Sequence, residues 1–233
     1  PERRGRDSVN ARWTNKVAVL TGDYLLSKSL HSAYLTKDIK IVGAIANIGM
    51  TLTDGELLQL SVLTPATIDE SLYLSIVERK TAQLFATCME VGARSVGATE
   101  EQIELLKAYG NALGVCFQIK DDIFDYDEHA KIGKPTGNDV RDGKLTLPLI
   151  YALRSCQTNE KDEIIRLISE KDFAPANILR IMNFALDNGG LEYAKKSMRE
   201  YSQKAIGAIK SFADSQAKQA LIDCISFVSD RSF

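Results

Sequence analysis

An apolar stretch, Gly114–Tyr126 (GVCFQIKDDIFDY), runs into three aspartates, Asp121, Asp122 and Asp125. On a helix, Asp121 and Asp125 share a stripe one turn apart, with Asp122 beside them. Like charges this close weaken a helix by a few tenths of a kcal/mol per pair. They also border residues suited to burial, where an unpaired charge costs more. A cation seated on the cluster would offset both costs; the plainer reading is a solvated acidic face. Ala130–Gly143, AKIGKPTGNDVRDG, follows as a loop with three glycines and a proline, and Lys131, Lys134, Arg141 and the adjoining Lys144 supply positive charge. Long loops in compact domains are usually functional. Carboxylates that bridge a hard cation to phosphate oxygens, followed by mobile lysines, suit a site for a diphosphate and magnesium.

Two other places offer partners to an anion. Arg3, Arg4 and Arg6 cluster before the first helix, as a site or as a plain basic tail. Lys80-Thr81 interrupts the apolar run SIVERKTAQLFATC. A lysine there ordinarily carries its head to solvent, but with an adjoining hydroxyl it also fits an anion inside a helical cavity. Other chemistries have little support. His31 and His129 are the two histidines, and the four cysteines show no C-x-x-C pair, so a zinc site is excluded and any metal is held by oxygen. A net charge of −2 gives no case for nucleic acid or an anionic membrane surface. No apolar run reaches the roughly 20 residues of a membrane span. Cys88 and Cys116 sit in apolar helical contexts and are expected to be reduced core thiols, which points to the cytoplasm.

The elements that must position these groups are helical throughout. Helices are expected over Asn15–Ala33 behind a Thr14 cap, with Val17, Leu20, Tyr24 and Leu25 recurring, and over about Asp38–Leu60, broken by Thr64 and Pro65. A long helix from about Ile68 to Val96 follows. Thr99 with Gln102 forms a capping box for the helix that carries the aspartates to about Asp127. After the loop, Pro148 falls in the first turn of another helix, and shorter ones cover Asn159–Ser169, Pro175–Asn188, Leu191–Phe212 and Ser215–Val228. The expected architecture is a single all-α domain of stacked helices.

Taken in order, RRG, NKVAVLTGDYLL, GELLQL, ERKTAQLF, GNALGVCFQIKDDIFDY and GKPTGNDVRDGKLTLPLI resemble the trans-polyprenyl diphosphate synthases, with an octaprenyl-like look, from Arg3 to Ala152. The resemblance implies an isoprenoid-synthase-like helical bundle, a homodimer, a need for Mg2+, and prenyl transfer in isoprenoid biosynthesis. In that reaction an allylic diphosphate is condensed with isopentenyl diphosphate and pyrophosphate is released. It implies that Asp121, Asp122 and Asp125 form the second aspartate-rich metal motif. It also implies that Arg3 contacts the allylic diphosphate, Arg4 the isopentenyl diphosphate, and Lys80, Thr81, Gln118, Lys134 and Lys144 the allylic substrate. Lys80, Thr81, Gln118, Asp121 and Asp122 are thereby placed at the reacting centre, Asp139 is given a supporting role, and Phe117 and Phe124 are candidates to shield the allylic cation. Asp23, Glu56 and Gln59 match family positions and are expected to be hydrogen-bonded core groups.

The family's first aspartate-rich motif belongs just before Arg3, so residues 1–233 are expected to be about the C-terminal two-thirds of one such domain, and the piece itself to be inactive if alone. A non-catalytic subunit of a heterodimer stays open as an alternative. A class I terpene cyclase fits poorly, because after Asn138-Asp139 the positions that need Ser/Thr and Glu hold Asp142 and Thr146.

Overall fold

The computed structural model describes residues 2–3, 6–61, 69–126, 137–156 and 159–231, with backbone only at residues 2, 3 and 159. Two-residue strands β1 (Glu2–Arg3) and β2 (Arg6–Asp7) pair antiparallel, Arg3 opposite Arg6, and are the one departure from helix among the described elements. Twelve described α-helices follow: α1 (Val9–Arg12), α2 (Asn15–Leu35), α3 (Ile39–Ser61), α4 (Glu70–Val77), α5 (Gln83–Ser95), α6 (Glu100–Phe124), α7 (Asn138–Arg141), α8 (Leu147–Ser155), α9 (Asn159–Ser169), α10 (Pro175–Asp187), α11 (Gly190–Ala208) and α12 (Gln216–Asp230). A π-helical turn, Glu78–Ala82, joins α4 directly to α5.

Local chemistry sets most of the boundaries. Thr14 Oγ1 accepts from the Val17 amide at 3.2 Å and starts α2; Asp69 accepts from Leu72 at 2.8 Å and starts α4. The Thr99–Gln102 box is reciprocal, at 3.2 and 3.0 Å. Each satisfies amides that an N-terminal turn leaves open. The expected single helix from Ile68 to Val96 is one continuous rod from Glu70, but a five-residue π turn sits inside it, which apolar periodicity does not reveal. Ile68, Thr64 and Pro65 lie outside the described residues. The stretch read as a loop up to Gly143 contains α7.

α6 is the axis of the fold. Its Val115, Cys116 and Ile119 are fully buried, among Tyr73 and Val77 of α4, Leu147 and Ile150 of α8, and the inner faces of α11 and α12. A second core joins α8, α9 and α10 through Leu149, Leu153, Ile164, Ile181 and Phe184. The π turn lies against α6 with no room for a side chain: a Cβ on Gly114 would stand 2.4 Å from Ala82 Cα. On its other side, a Cβ on Gly55 of α3 would meet Arg79 Cβ at 2.8 Å. Two glycines thus let α3 and α6 close on the turn that carries Lys80 and Thr81.

The outer side is different. Val17, Leu20, Tyr24 and Leu25, whose recurrence marks α2 in the sequence, are all exposed, and Ala33 is the one buried residue of α2. Cys116 is buried as expected, but Cys88 is exposed, because it lies on the outer side of α5. No helix among the described residues is long and apolar enough to cross a membrane.

Candidate active site

The site grows from the π turn. A π turn wedges an extra residue into the helical ladder, a device found mostly where function needs it. Lys80 reaches back to α3, where Nζ stands 2.6 Å from Glu56 Oε2 and also donates to Gln59 Oε1. Its neighbour Thr81 turns to α6 and donates its hydroxyl to Gln118 Oε1 at 3.0 Å. One short segment therefore holds an ammonium group and a hydroxyl between two helices.

The aspartates at the end of α6 meet different surroundings. Gln118 and Asp122 follow one stripe, Phe117, Asp121 and Phe124 the next, and Asp125 is the C-cap residue just past the helix. Asp122 is 2% exposed. Its Oδ1 accepts from Gln118 Nε2 at 3.0 Å, and its Oδ2 accepts from the Tyr73 hydroxyl at 2.7 Å and from the Leu147 amide, at the start of α8, at 3.4 Å. Burial pushes this carboxyl up to about 7; the donors Tyr73, Gln118 and Leu147 oppose the shift, and the charge of Asp139 adds to it. Burial, and then Asp122 itself, push the Tyr73 phenol well above its ordinary value.

Asp125 is also buried and serves the backbone. It accepts from the amides of Asn138 at 2.9 Å and Asp139 at 3.0 Å, while its carbonyl accepts from Gly137 at 3.0 Å. Gly137 has φ +72°, the left-handed turn that delivers those amides. Burial and the Asp139 charge raise the Asp125 carboxyl, against the two amides. The returning segment brings Lys144, whose Nζ lies 2.9 Å from Asp139 and 3.1 Å from Asp142. Burial would lower the Lys144 pKa, but the two carboxylates together outweigh it and raise it.

Asp121 is the open member, 48% exposed at its side chain, with Arg231 Nη2 at 4.0 Å. Arg231, at the end of α12, lays its guanidinium over Phe117 at 4.2 Å and Phe124 at 5.3 Å and donates to the Phe117 carbonyl at 3.3 Å. Phe117 also packs against Phe85 of α5, ring centroids 5.5 Å apart, so the two rings named as shields of the allylic cation carry a guanidinium on one side.

The residues singled out in the sequence now sort themselves. Thr81, Gln118 and Asp122 form one hydrogen-bonded chain with Lys80 adjacent. Asp125, Asp139 and Lys144 form a second group that fastens the returning segment. Glu56 and Gln59 are not core groups, since Glu56 is half exposed and both hold Lys80; Asp23 is exposed on α2. Arg4 and Lys134 lie outside the described residues, as does the Arg3 side chain. Sequence reasoning missed Tyr73, although a tyrosine two turns before Lys80 on the same rod was a usable signal. It also missed Arg231, 114 positions from its partner Phe117, which carries none.

Among the described residues no three His, Cys, Asp or Glu side chains are close enough to enclose an ion. One open carboxylate backed by two that already bond protein donors suits a metal that takes a carboxylate or two and completes its shell with phosphate oxygens and water, as magnesium does.

Three kinds of comparison bear on this arrangement. The sequence model of the family described as polyprenyl synthetase matches residues 1–184. Octaprenyl diphosphate synthase of Haemophilus influenzae is 32% identical over 232 residues, 99% of this chain and 70% of its own length. A decaprenyl diphosphate synthase from Rhodobacter capsulatus superposes with a TM-score of 0.92 at 35% identity, over 100% of this chain and 72% of that one. A polyprenyl synthase from Caulobacter crescentus, solved with calcium and isoprenyl diphosphate, does so with a TM-score of 0.91 at 30% identity, over 99% and 71%.

Proposed function

We propose, on the premise that this chain belongs to the polyprenyl synthetase family, that it is a magnesium-dependent trans-polyprenyl diphosphate synthase. It condenses isopentenyl diphosphate with an allylic diphosphate of the geranyl or farnesyl type and releases pyrophosphate. The observation that carries this reading is the Thr81–Gln118–Asp122 chain set against Lys80 on a π turn, in a sequence matched by the family over most of its length.

Each residue then has a task. Asp121 is the carboxylate offered to the metal, with Asp122 and Asp125 behind it as the buried part of the same motif. When bound, the metal supplies positive charge to the diphosphate that leaves. Lys80 and Lys144, held at the site by carboxylates, and Lys134 neutralise the remaining negative charge. Arg3 takes the allylic diphosphate and Arg4 the isopentenyl diphosphate. The allylic carbon–oxygen bond breaks with its electron pair going to pyrophosphate, and the double bond of isopentenyl diphosphate supplies the pair for the new carbon–carbon bond. A proton then passes to the departing pyrophosphate. Thr81 and Gln118 present fixed dipoles to the allylic cation, the preorganised electrostatics on which such ionisations depend.

Two further readings accompany this one. The exposed apolar side of α2, with Val19, Leu20, Tyr24 and Tyr34 each more than 60% exposed, supports a homodimer covered on this face; a monomeric mass in sedimentation velocity overturns it. The four free cysteines support a cytoplasmic setting, which localisation by fractionation checks.

The test of the main reading is incubation of the natural protein with Mg2+, isopentenyl diphosphate and geranyl or farnesyl diphosphate, followed by sizing of the products. A ladder ending in medium or long polyprenyl chains is expected. No pyrophosphate release with any allylic primer refutes the assignment.

A further inference from the structure

Tyr73 has no task in the scheme above, yet its phenol makes the shortest bond to the buried aspartate. Tyr73, Gln118 and Leu147 all approach Asp122 as donors, the arrangement of an ionised carboxylate, which only accepts hydrogen bonds. On Asp122, Oδ2 is occupied by the Tyr73 hydroxyl at 2.7 Å and the Leu147 amide at 3.4 Å, so Oδ1 is left to Gln118 at 3.0 Å. A primary amide that gives its NH2 to a carboxylate must turn its carbonyl the other way. Gln118 Oε1 consequently faces Thr81, and the Thr81 hydroxyl must donate to it, as it does at 3.0 Å. Every bond in the chain then points the same way, from Thr81 through Gln118 to Asp122. Because its single proton is committed, Thr81 can act toward other partners only as an acceptor, while Lys80 beside it supplies donors and positive charge.

We propose that Tyr73 is a positioning residue of this site: by holding Oδ2 of Asp122 it fixes the carboxylate plane, and through it the orientation of the Gln118 amide and the direction of the Thr81 hydroxyl. Without the phenol, the one donor left on Oδ2 is the Leu147 amide at 3.4 Å, a long bond that holds the carboxylate plane weakly. The carboxylate can then rotate, and the Gln118 amide loses the partner geometry that tells its two ends apart. α4 thus reaches the reacting side chains through two intermediates, without touching substrate. The kinetic consequence rests on the prenyltransferase reading; the structural one does not.

The test pairs Tyr73→Phe with Gln118→Ala and the double variant. Tyr73→Phe should lower kcat about tenfold with KM for both diphosphates within about twofold, the pattern of an interaction used in the transition state. The double variant should turn over no more slowly than Gln118→Ala alone, since Tyr73 acts through Gln118. Losses that multiply, or full turnover in Tyr73→Phe, overturn the proposal. A readout free of activity is the side-chain NH2 pair of Gln118 in a 15N-labelled sample, identified by its loss in Gln118→Ala. The two proton shifts should be well separated in the wild type and draw together in Tyr73→Phe, and an unchanged pair overturns the proposal even if the protein transfers no prenyl group. Should Tyr73→Phe lose its helical signal, Asp122→Asn keeps the shape but can offer Gln118 a donor. The same resonances should then move, and their constancy refutes the orientation argument.

Discussion

Replacing Gly114 by alanine tests the geometry on which the site depends. Gly114 lies mid-helix in α6, where alanine is intrinsically favoured by about 1 kcal/mol. If nothing opposed it, the variant would be more stable. Its Cβ, however, would stand 2.4 Å from Ala82 Cα, 3.0 Å from Ala82 Cβ and 3.1 Å from Phe85 Cδ2. Carbon atoms in contact sit at about 3.5–4.0 Å. The nearest atom is backbone within the π turn, at a residue that is fully buried, so it cannot swing aside. Relief requires α6 and the turn to part by about 1 Å. The Thr81–Gln118 bond, 3.0 Å now, would then exceed the roughly 3.5 Å limit of a hydrogen bond.

Overpacking costs about 1–3 kcal/mol and the lost bond about 1 kcal/mol, against a gain of about 1 kcal/mol in propensity. A net loss of about 1–3 kcal/mol is expected in urea denaturation, with turnover down ten- to a hundredfold, on the order of what a 1 Å misplacement costs. Gly92→Ala is the control. Gly92 is exposed inside α5 with nothing within 4 Å of the added carbon, so that variant should gain up to about 1 kcal/mol. If Gly114→Ala is as stable as wild type, or moves with Gly92→Ala, the close approach of α6 to the π turn is wrong, and with it the placement of Thr81 against Gln118.

Two other outcomes are open to measurement. Asp121→Ala should cut pyrophosphate release by two or more orders of magnitude while leaving the far-ultraviolet helical signal and melting temperature nearly unchanged, because the side chain is half exposed; retained turnover removes Asp121 from the metal role. Asp122 titrates at about 7 in the fold, raised by burial from an unfolded value near 3.9. A raised carboxyl favours the folded state most below its unfolded value, so its contribution is lost as pH climbs from about 4 to about 7. The metal-free wild type should therefore lose stability relative to Asp122→Asn over that window, by up to about 4 kcal/mol on full ionisation. A difference that is flat or rises with pH across parallel denaturation series contradicts the burial account.

Much of this architecture was legible because it is written in local chemistry. Thr14 and Thr99 with Gln102 each start a helix by accepting an amide within three residues, signals that need no tertiary context; Asp69 and Ser215 cap in the same way but are not among the caps expected from the sequence. What could not be read was set by contacts distant in sequence. The apolar run around Lys80 reads as plain helix, since one inserted residue shifts the apolar register by a single position, too little to read in so short a run, and the turn is fixed by how α3 and α6 close on it at Gly55 and Gly114. Glu56 and Gln59 looked like buried polar groups because their partner, Lys80, arrives from more than twenty residues away. In α2 apolar residues recur on more than one side, Val19 and Leu26 lying opposite Val17 and Tyr24, so their recurrence marks a helix without saying which side a core covers.

The aspartate cluster shows where sequence reasoning and structure part company most usefully. Three acids beside an apolar run suggested either a cation seated on them or a solvated acidic face. The fold supplies another remedy for two of the three. Asp122 spends both oxygens on Tyr73, Gln118 and Leu147, and Asp125 spends both on the amides of Asn138 and Asp139. Donors from α4, α8 and the returning segment oppose the cost of that burial without cancelling it, since both carboxyls stay raised, and the hydrogen bonds tie these parts of the chain to α6. Only Asp121 keeps its oxygens open, and the arginine that has come nearest to it stands off at 4.0 Å. The motif of three carboxylates thus divides into one open side chain and two that already hold protein donors. That division explains why the spacing matters: moving Asp121 by one position would trade the open stripe for the anchored one.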